Sequence, residues 1–188
     1  EEAITDRTGA VTRYIYDDRG NILSQTDANG KTVKNTYDSN GYLATKTDAM
    51  GFVTSYKYDS LGNMLSLTDA EGREVTNEYD SKGMLTSIST SGMTVLKIDY
   101  TDDGLTSGTT DAMGNQINYE YDSKKRLKSV TDEIGTYMNM TYDSSGNVKT
   151  ATNGAGATAE FNYDADGNCI SKTVNYTSDG AVKTVTEN

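Results

Sequence analysis

The chain has no histidine, no proline, no tryptophan and a single cysteine, Cys169. Without histidine, Ser-His-Asp and Cys-His catalysis are excluded. With only one cysteine as well, ordinary His/Cys zinc sites and an internal disulfide go too. Without proline, the turns must be built from Gly, Asn, Asp and Ser. Phenylalanine is scarce, with 2 copies against 14 tyrosines. Hydrophobic residues make up 34% of the 188 positions, which is low for a globular chain and argues against one large aliphatic core. No apolar run is long enough to span a bilayer and no signal-peptide pattern is read, so membrane insertion is not expected. Basic residues are in the minority, 17 against 28 acidic, for a net charge of −11. That balance repels phosphate backbones, so a nucleic-acid partner is not expected.

What the chain does have is a period. Tyrosines stand at Tyr16, Tyr37, Tyr58, Tyr79, Tyr100, Tyr121, Tyr142 and Tyr163, each 21 residues after the last. Asp follows every one except Tyr100, which Thr101 follows. One glycine series, with Gly30, Gly51 and Gly72, and a second, with Gly41, Gly62 and Gly83, keep the same step. These tyrosines and glycines are the structural repeat positions. A fixed period of this size signals a repeat architecture.

The glycine-bearing segments Thr-Asp-x-x-Gly and Tyr-Asp-x-x-Gly read as turns, because Gly reaches positive φ freely and Asp bonds its own backbone two residues on. Between them the chain alternates. Val75, Asn77 and Tyr79 fall on one face, and Glu74, Thr76 and Glu78 on the other. Period two with one apolar face is a strand signature. The strand after each Tyr-Asp turn carries an apolar site: Ile22, Leu43, Met64, Leu85, Leu127, Val148 and Cys169, with Thr106 as the exception. Cys169 therefore reads as a small buried hydrophobe. The expected fold is all-β: tandem 21-residue β-hairpin repeats in one long, twisted antiparallel sheet of about 16 to 17 strands. So wide a sheet is expected to curl into a partial spiral or open barrel-like shell, with the tyrosine face concave or covered. The expected organisation is one array over 1–188, about eight repeats over 5–172 and a shortened terminal repeat over 173–188.

No singular chemical site stands out. Paired carboxylates support glycoside hydrolysis, but these recur at the same positions in every repeat, as turn residues do. Asp164-Ala165-Asp166-Gly167-Asn168 begins like a calcium loop yet lacks the late Glu. Gly154-Ala155-Gly156 lacks the lysine of a phosphate-binding loop. No catalytic residue, metal ligand or cofactor is assigned, and an enzyme is not expected.

The run Tyr-Asp-x-x-Gly-x-Leu followed by Thr-Asp-x-x-Gly resembles the YD repeat of the Rhs family, over roughly residues 5 to 173. That family includes bacterial Rhs proteins, the BC component of insecticidal Tc toxins, Gram-positive wall-associated proteins and teneurins. The resemblance implies a spiralling β-sheet shell, which in toxin members encloses a toxic domain. It also implies a secreted or cell-surface setting, Gram-positive by preference. The function expected is a non-catalytic scaffold segment of a larger polymorphic toxin or wall-associated protein. The alternative is an adhesion module that binds carbohydrate or protein through its tyrosines. Expected partners are neighbouring repeats, and an enclosed toxin domain or carbohydrate. Open sheet edges predict edge-to-edge self-association. The family's Asp-Pro-x-Gly autoprotease element is absent from this chain, which has no proline.

Three places break the pattern. Around residues 89–109, Ser89-Thr90 replaces Thr-Asp, Gly92 comes one place early, and Met93 takes the glycine position. A distorted turn or bend is expected there. Lys125 stands at a turn-glycine position, so either a different turn or a left-handed lysine must result. After Thr173 the register shortens, and a direct hairpin is expected across residues 170–176.

Overall fold

The structure is a computed structural model that describes residues 1–178 and 181–187. The described residues form eighteen strands and no helix. The chain divides into two compact units, Glu1–Leu96 and Lys97–Asn188. The first holds β1 (Glu2–Thr5), β2 (Val11–Tyr16), β3 (Ile22–Thr26), β4 (Thr32–Tyr37), β5 (Leu43–Thr47), β6 (Val53–Tyr58), β7 (Met64–Thr68), β8 (Glu74–Tyr79) and β9 (Leu85–Thr90). Each pairs antiparallel with the next. Strand β10 (Met93–Tyr100) begins in the first unit, and its last residues belong to the second. The second unit continues with β11 (Thr106–Asp111), β12 (Gln116–Tyr121), β13 (Leu127–Asp132), β14 (Gly135–Tyr142), β15 (Val148–Asn153), β16 (Thr158–Tyr163), β17 (Cys169–Ser178) and β18 (Ala181–Glu187). These too form an antiparallel meander.

Both turn types of the repeat have one construction. Asp48 N–H donates to the Phe52 carbonyl, and Gly51 N–H donates back to the Asp48 carbonyl. Asp59 and Gly62 repeat the pattern across Asn63. This is a three-residue hairpin loop: a type I turn ended by a residue in the left-handed region, with a bulge. Gly62 serves at φ +90° and also lies so close to Tyr42 that a Cβ there would sit 2.8 Å from its hydroxyl. At Lys125 the same turn forms with a lysine at φ +64°. Of the two outcomes expected there, the left-handed lysine is the one realised.

The two hairpins of a repeat differ in their ladders. The Thr-Asp hairpins pair over a short stretch, as in Ser24↔Lys34, Gln25↔Val33 and Thr26↔Thr32. The Tyr-Asp hairpins pair further and carry a bulge at their turn end. In β6/β7, Lys57 faces Ser66 and Tyr58 faces Met64, so Leu65 is the extra residue. Paired residues share a face, so the bulge turns Met64 onto the tyrosine face, whereas Ser66 stays on the other. The recurrent apolar site thus lies beneath the tyrosines because of a bulge, not because of simple alternation.

Among the described residues no apolar side chain is fully buried, and the buried polar ones are Ser66, Ser87 and Ser129. Within each unit, the described strands touch only their sequence neighbours, so among the described residues no second layer covers the rings. The repeat tyrosines are half-buried by neighbours in the same sheet.

Cys169 is exposed, which corrects the expectation of a buried hydrophobe. At Ile22, Met64, Leu127 and Val148, a tyrosine fifteen residues later bonds the carbonyl of the apolar residue; fifteen after Cys169 comes Thr184, which supplies no ring. The expected hairpin across 170–176 is corrected as well. Those residues lie within the single ten-residue strand β17, which pairs with β18 as far as Ser178↔Ala181. The chain does contract around Met93. Ser91 (φ +52°) and Gly92 (φ +79°) form a two-residue turn, and β10 lengthens to eight residues. Two consecutive positive φ values mark a type I′ hairpin turn, tighter than the three-residue loop it replaces.

Candidate functional site

The repeated tyrosines define the site that the sequence singles out. Each stands at the last position of a strand, and all but Tyr100, which Thr101 follows, enter a Tyr-Asp turn. There the ladder to the preceding hairpin has already ended: β3 and β4 stop pairing at Ser24↔Lys34, whereas β4 runs on to Tyr37. The Tyr37 ring fills this opening, and its hydroxyl donates to the Ile22 carbonyl at 3.0 Å. The same bond runs from Tyr79 to Met64 (3.0 Å), Tyr121 to Thr106 (2.8 Å), Tyr142 to Leu127 (2.7 Å) and Tyr163 to Val148 (2.9 Å). Each staple reaches back fifteen residues to the neighbouring repeat. Asn35 and Asn77 add a second donor to the Ile22 and Met64 carbonyls. Tyr16 donates to Glu2 instead, an exposed bond that raises the phenol pKa. Tyr58 packs against the Tyr42 ring at 5.2 Å, and desolvation there raises its pKa. Tyr100 ends β10, half-buried.

A second series in the same 21-residue register was missed in the sequence reading: Asn21, Tyr42, Asn63, Arg126, Asn147 and Asn168, interrupted by Met84 and Leu105, each directly after the turn position held by Gly or by Lys125. The asparagines donate from Nδ2 to their own turn aspartate, as in Asn63 to Asp59 at 2.8 Å. Arg126 grips Asp122 through two nitrogens and lies over the Tyr142 ring, 4.2 Å from its centroid. Its Nη1 is enclosed without a hydrogen-bond partner. Only the shared spacing, not the residue type, could have revealed the series.

The turn aspartates are occupied by backbone. Asp59 Oδ1 accepts from the N–H groups of Leu61 and Asn63, both at 2.9 Å. Asp164 accepts likewise from Asp166 and Asn168, so the segment that begins like a calcium loop is an ordinary turn of this array. Hydrogen bonds from the asparagine amides, reinforced by the backbone N–H groups, hold Asp17, Asp59, Asp111 and Asp164 below the usual carboxylate range. For Asp122 the leading donor is the Arg126 side chain. Carboxylates held ionised in this way are poor general acids at neutral pH. Among the described residues no cluster of three or more His, Cys, Asp or Glu could hold a metal ion.

One turn departs although its sequence is regular. Thr131-Asp132-Glu133-Ile134-Gly135 closes as a two-residue loop with Asp132 facing Gly135, which has φ +141°. A register shift follows and leaves Tyr137 unpaired with β13 and 63% exposed beside Ile134, which is 97% exposed. A shallow hollow of about 570 Å³ opens between them and Asn153. Nothing in the sequence marks this turn.

Residues 3–32 and 37–74 match the family described as RHS Repeat. No curated protein matches the chain. Several solved structures share its fold. One is a TcdB2-TccC3-Cdc42 complex, with TM-score 0.64 and 15% identity over 92% of this chain and 12% of that one. Another is TcdB2-TccC3 without its hypervariable C-terminal region, with TM-score 0.65 and 16% identity over 92% and 12%. A third, TcdB2-TccC3, gives 0.58 and 20% over 88% and 9%. The chain spans roughly an eighth of the first two. Residues 3–32 and 37–74 are thus similar to RHS repeats, and the 21-residue period that they carry continues to Tyr163.

Proposed function

We propose that the chain is a non-catalytic wall segment of a larger secreted or cell-surface protein of the toxin-associated kind. It would serve as one array, about eight repeats over 5–172 with a shortened one over 173–188. The carrying observation is the tyrosine staple. At Tyr37, Tyr79, Tyr121, Tyr142 and Tyr163 the residue that defines the repeat spends its hydroxyl on the neighbouring repeat, at a constant fifteen-residue reach. Its aspartate is likewise spent on its own turn. The natural partners are neighbouring repeats and, by analogy with the TccC3 complexes, a variable domain beside the wall. A Gram-positive source finds no support among the similar structures.

A second reading has its own observation. The tyrosine rings are only half-buried, and Tyr137 stands out at 63% exposure. An open aromatic surface suits carbohydrate or protein binding. Two measurements separate the readings. Replacing Tyr37 and Tyr79 together with Phe should lower the denaturation midpoint, and a glycan array should return no saturable signal. Unchanged stability together with glycan binding that these substitutions abolish would reverse the assignment.

A further inference from the structure

The rim of the second unit that carries its Thr-Asp turns is apolar and acidic. Met113 is 87% exposed and Ile134 97%, at the tips of successive turns, and Tyr137 follows at 63%. Across residues 111–116, 131–135 and 152–158 the charged side chains are Asp111, Asp132 and Glu133, with no lysine or arginine. In the first unit, three of the four Thr-Asp turns carry a cation, Arg7, Lys31 or Arg73. The rim lies inside the array. Strands β12 to β15 each pair on both sides, so it owes nothing to an open strand edge.

Two hollows flank the contracted turn at Ile134. One, of about 570 Å³, is bounded by Ile134, Tyr137, Met138 and Ala155 among others. The other, of about 280 Å³, is bounded by Ile117, Glu133 and Ile134 among others. The register sets residues of both on the tyrosine face. Ile117 faces Asp132, Tyr119 faces Val130, Val130 faces Met138, and Met138 faces Asn153. Neighbouring Thr-Asp turns stand two strands apart, about 9.5 Å at roughly 4.8 Å per strand. Hollows on either side of the middle turn are separated by one such step. An extended β-strand repeats a face every ~6.7 Å, which is too short for that step. A polyproline II segment repeats a face every three residues, at ~9.3 Å, which matches it. The charge of the rim selects a cationic segment, because Glu133 and Asp132 stand at the turn between the hollows.

We propose that the rim around Ile134 docks a basic polyproline II segment of a partner protein, with apolar side chains at i and i+3 seated in the two hollows and a cationic residue between them beside Glu133. The proposal is independent of the wall role, which the staples carry, and it rests on the protein-binding reading of the open aromatic face. The probe is a fluorescent peptide of sequence Arg-Leu-Pro-Arg-Leu-Pro-Arg, titrated with the 188-residue chain and read by anisotropy. Binding should saturate. Ile134→Ser and Glu133→Lys should each weaken it on the order of tenfold. Both side chains are exposed, so each variant should keep the parent's circular dichroism. Met50→Ser, at a similarly exposed methionine of the first unit, should leave the affinity unchanged. A peptide with Glu for every Arg, or with Ala for every Leu, should not bind. Absence of saturable binding overturns the proposal, as does binding indifferent to Ile134→Ser and Glu133→Lys. A glycan-array signal that Ile134→Ser abolishes, with no peptide binding, would give the hollows to a sugar and keep only the wider binding reading. Self-association that Ile134→Ser abolishes, again with no peptide binding, would give them to a second copy and overturn the proposal.

Discussion

Tyr79 does two things with one side chain. Its ring fills the opening where β7 and β8 part, and its hydroxyl caps the Met64 carbonyl that the ladder leaves behind. Asn77 Nδ2 donates to the same carbonyl, so loss of the phenol hydroxyl leaves it one donor and costs about the net worth of a single hydrogen bond. Tyr79→Phe should therefore destabilise the chain by about 1 kcal/mol, measured by denaturant unfolding. Tyr137→Phe, on an exposed ring, should change little. Lys125 offers the opposite case. It holds φ +64° at a position that neighbouring repeats give to glycine, and its ion pair with Asp103 is exposed at 3.4 Å. Such surface pairs contribute little, whereas a left-handed non-glycine residue costs roughly 1–2 kcal/mol. Lys125→Gly should raise stability by about 0.5–1 kcal/mol after the entropy that glycine loses on folding. A drop in the unfolding midpoint would show that the lysine is not strained there.

At the scale of the element, the Asp-x-x-Gly hairpin turn ties stability to pH. Its carboxylates bind a proton less readily folded than unfolded, as at Asp17, Asp59, Asp111 and Asp164. Their contribution is fully present above the unfolded value of about 3.9 and is lost as pH falls through the lower folded values. Tyr58 and Tyr163 act at the other end. Desolvation raises both, so their contribution holds below about pH 10 and is lost as pH rises through the folded values. The unfolding midpoint should be flat through neutrality and fall at both extremes, and Asp59→Asn should blunt part of the acid limb. An acid limb unchanged in a variant carrying Asn at all four aspartates would show that the turns are not its source. These turns were the most legible part of the sequence, because Asp and Gly each have a local reason to be there. The bulge opposite Tyr58 was not legible. It moves Met64 to the tyrosine face against simple alternation, and its cause is pairing between strands rather than any residue within one. Cys169 was misread for a related reason. Its place in the series was right, but its cover depends on a tyrosine that the next repeat does not supply.

Among the described residues of each unit, the absence of any buried apolar side chain means that no central core holds the unit together. Stability must come from strand to strand and repeat to repeat, as nearest-neighbour terms. The interval at which the chain can be shortened is then set by the repeat and not by the sheet. Deleting Asp38–Tyr58 removes 21 residues and joins Tyr37 to Asp59, which regenerates a Tyr-Asp-x-x-Gly turn with Ser60, Leu61 and Gly62. The staples from Tyr37 to Ile22 and from Tyr79 to Met64 both survive the deletion. Two strands go together, so β7 still runs in the right direction to pair with what precedes it. Removing only 38–47 takes a single strand and joins Tyr37 to Asp48. Every later strand of the unit must then reverse its direction relative to those before it, and Tyr58 faces a neighbour of the wrong kind. The 21-residue deletion should keep the β-sheet circular dichroism and a cooperative transition, with a modestly lower midpoint. The ten-residue deletion should broaden the transition and lower the midpoint further. Equal damage from both would mean that the unit is stabilised by something longer-ranged than its neighbouring repeats.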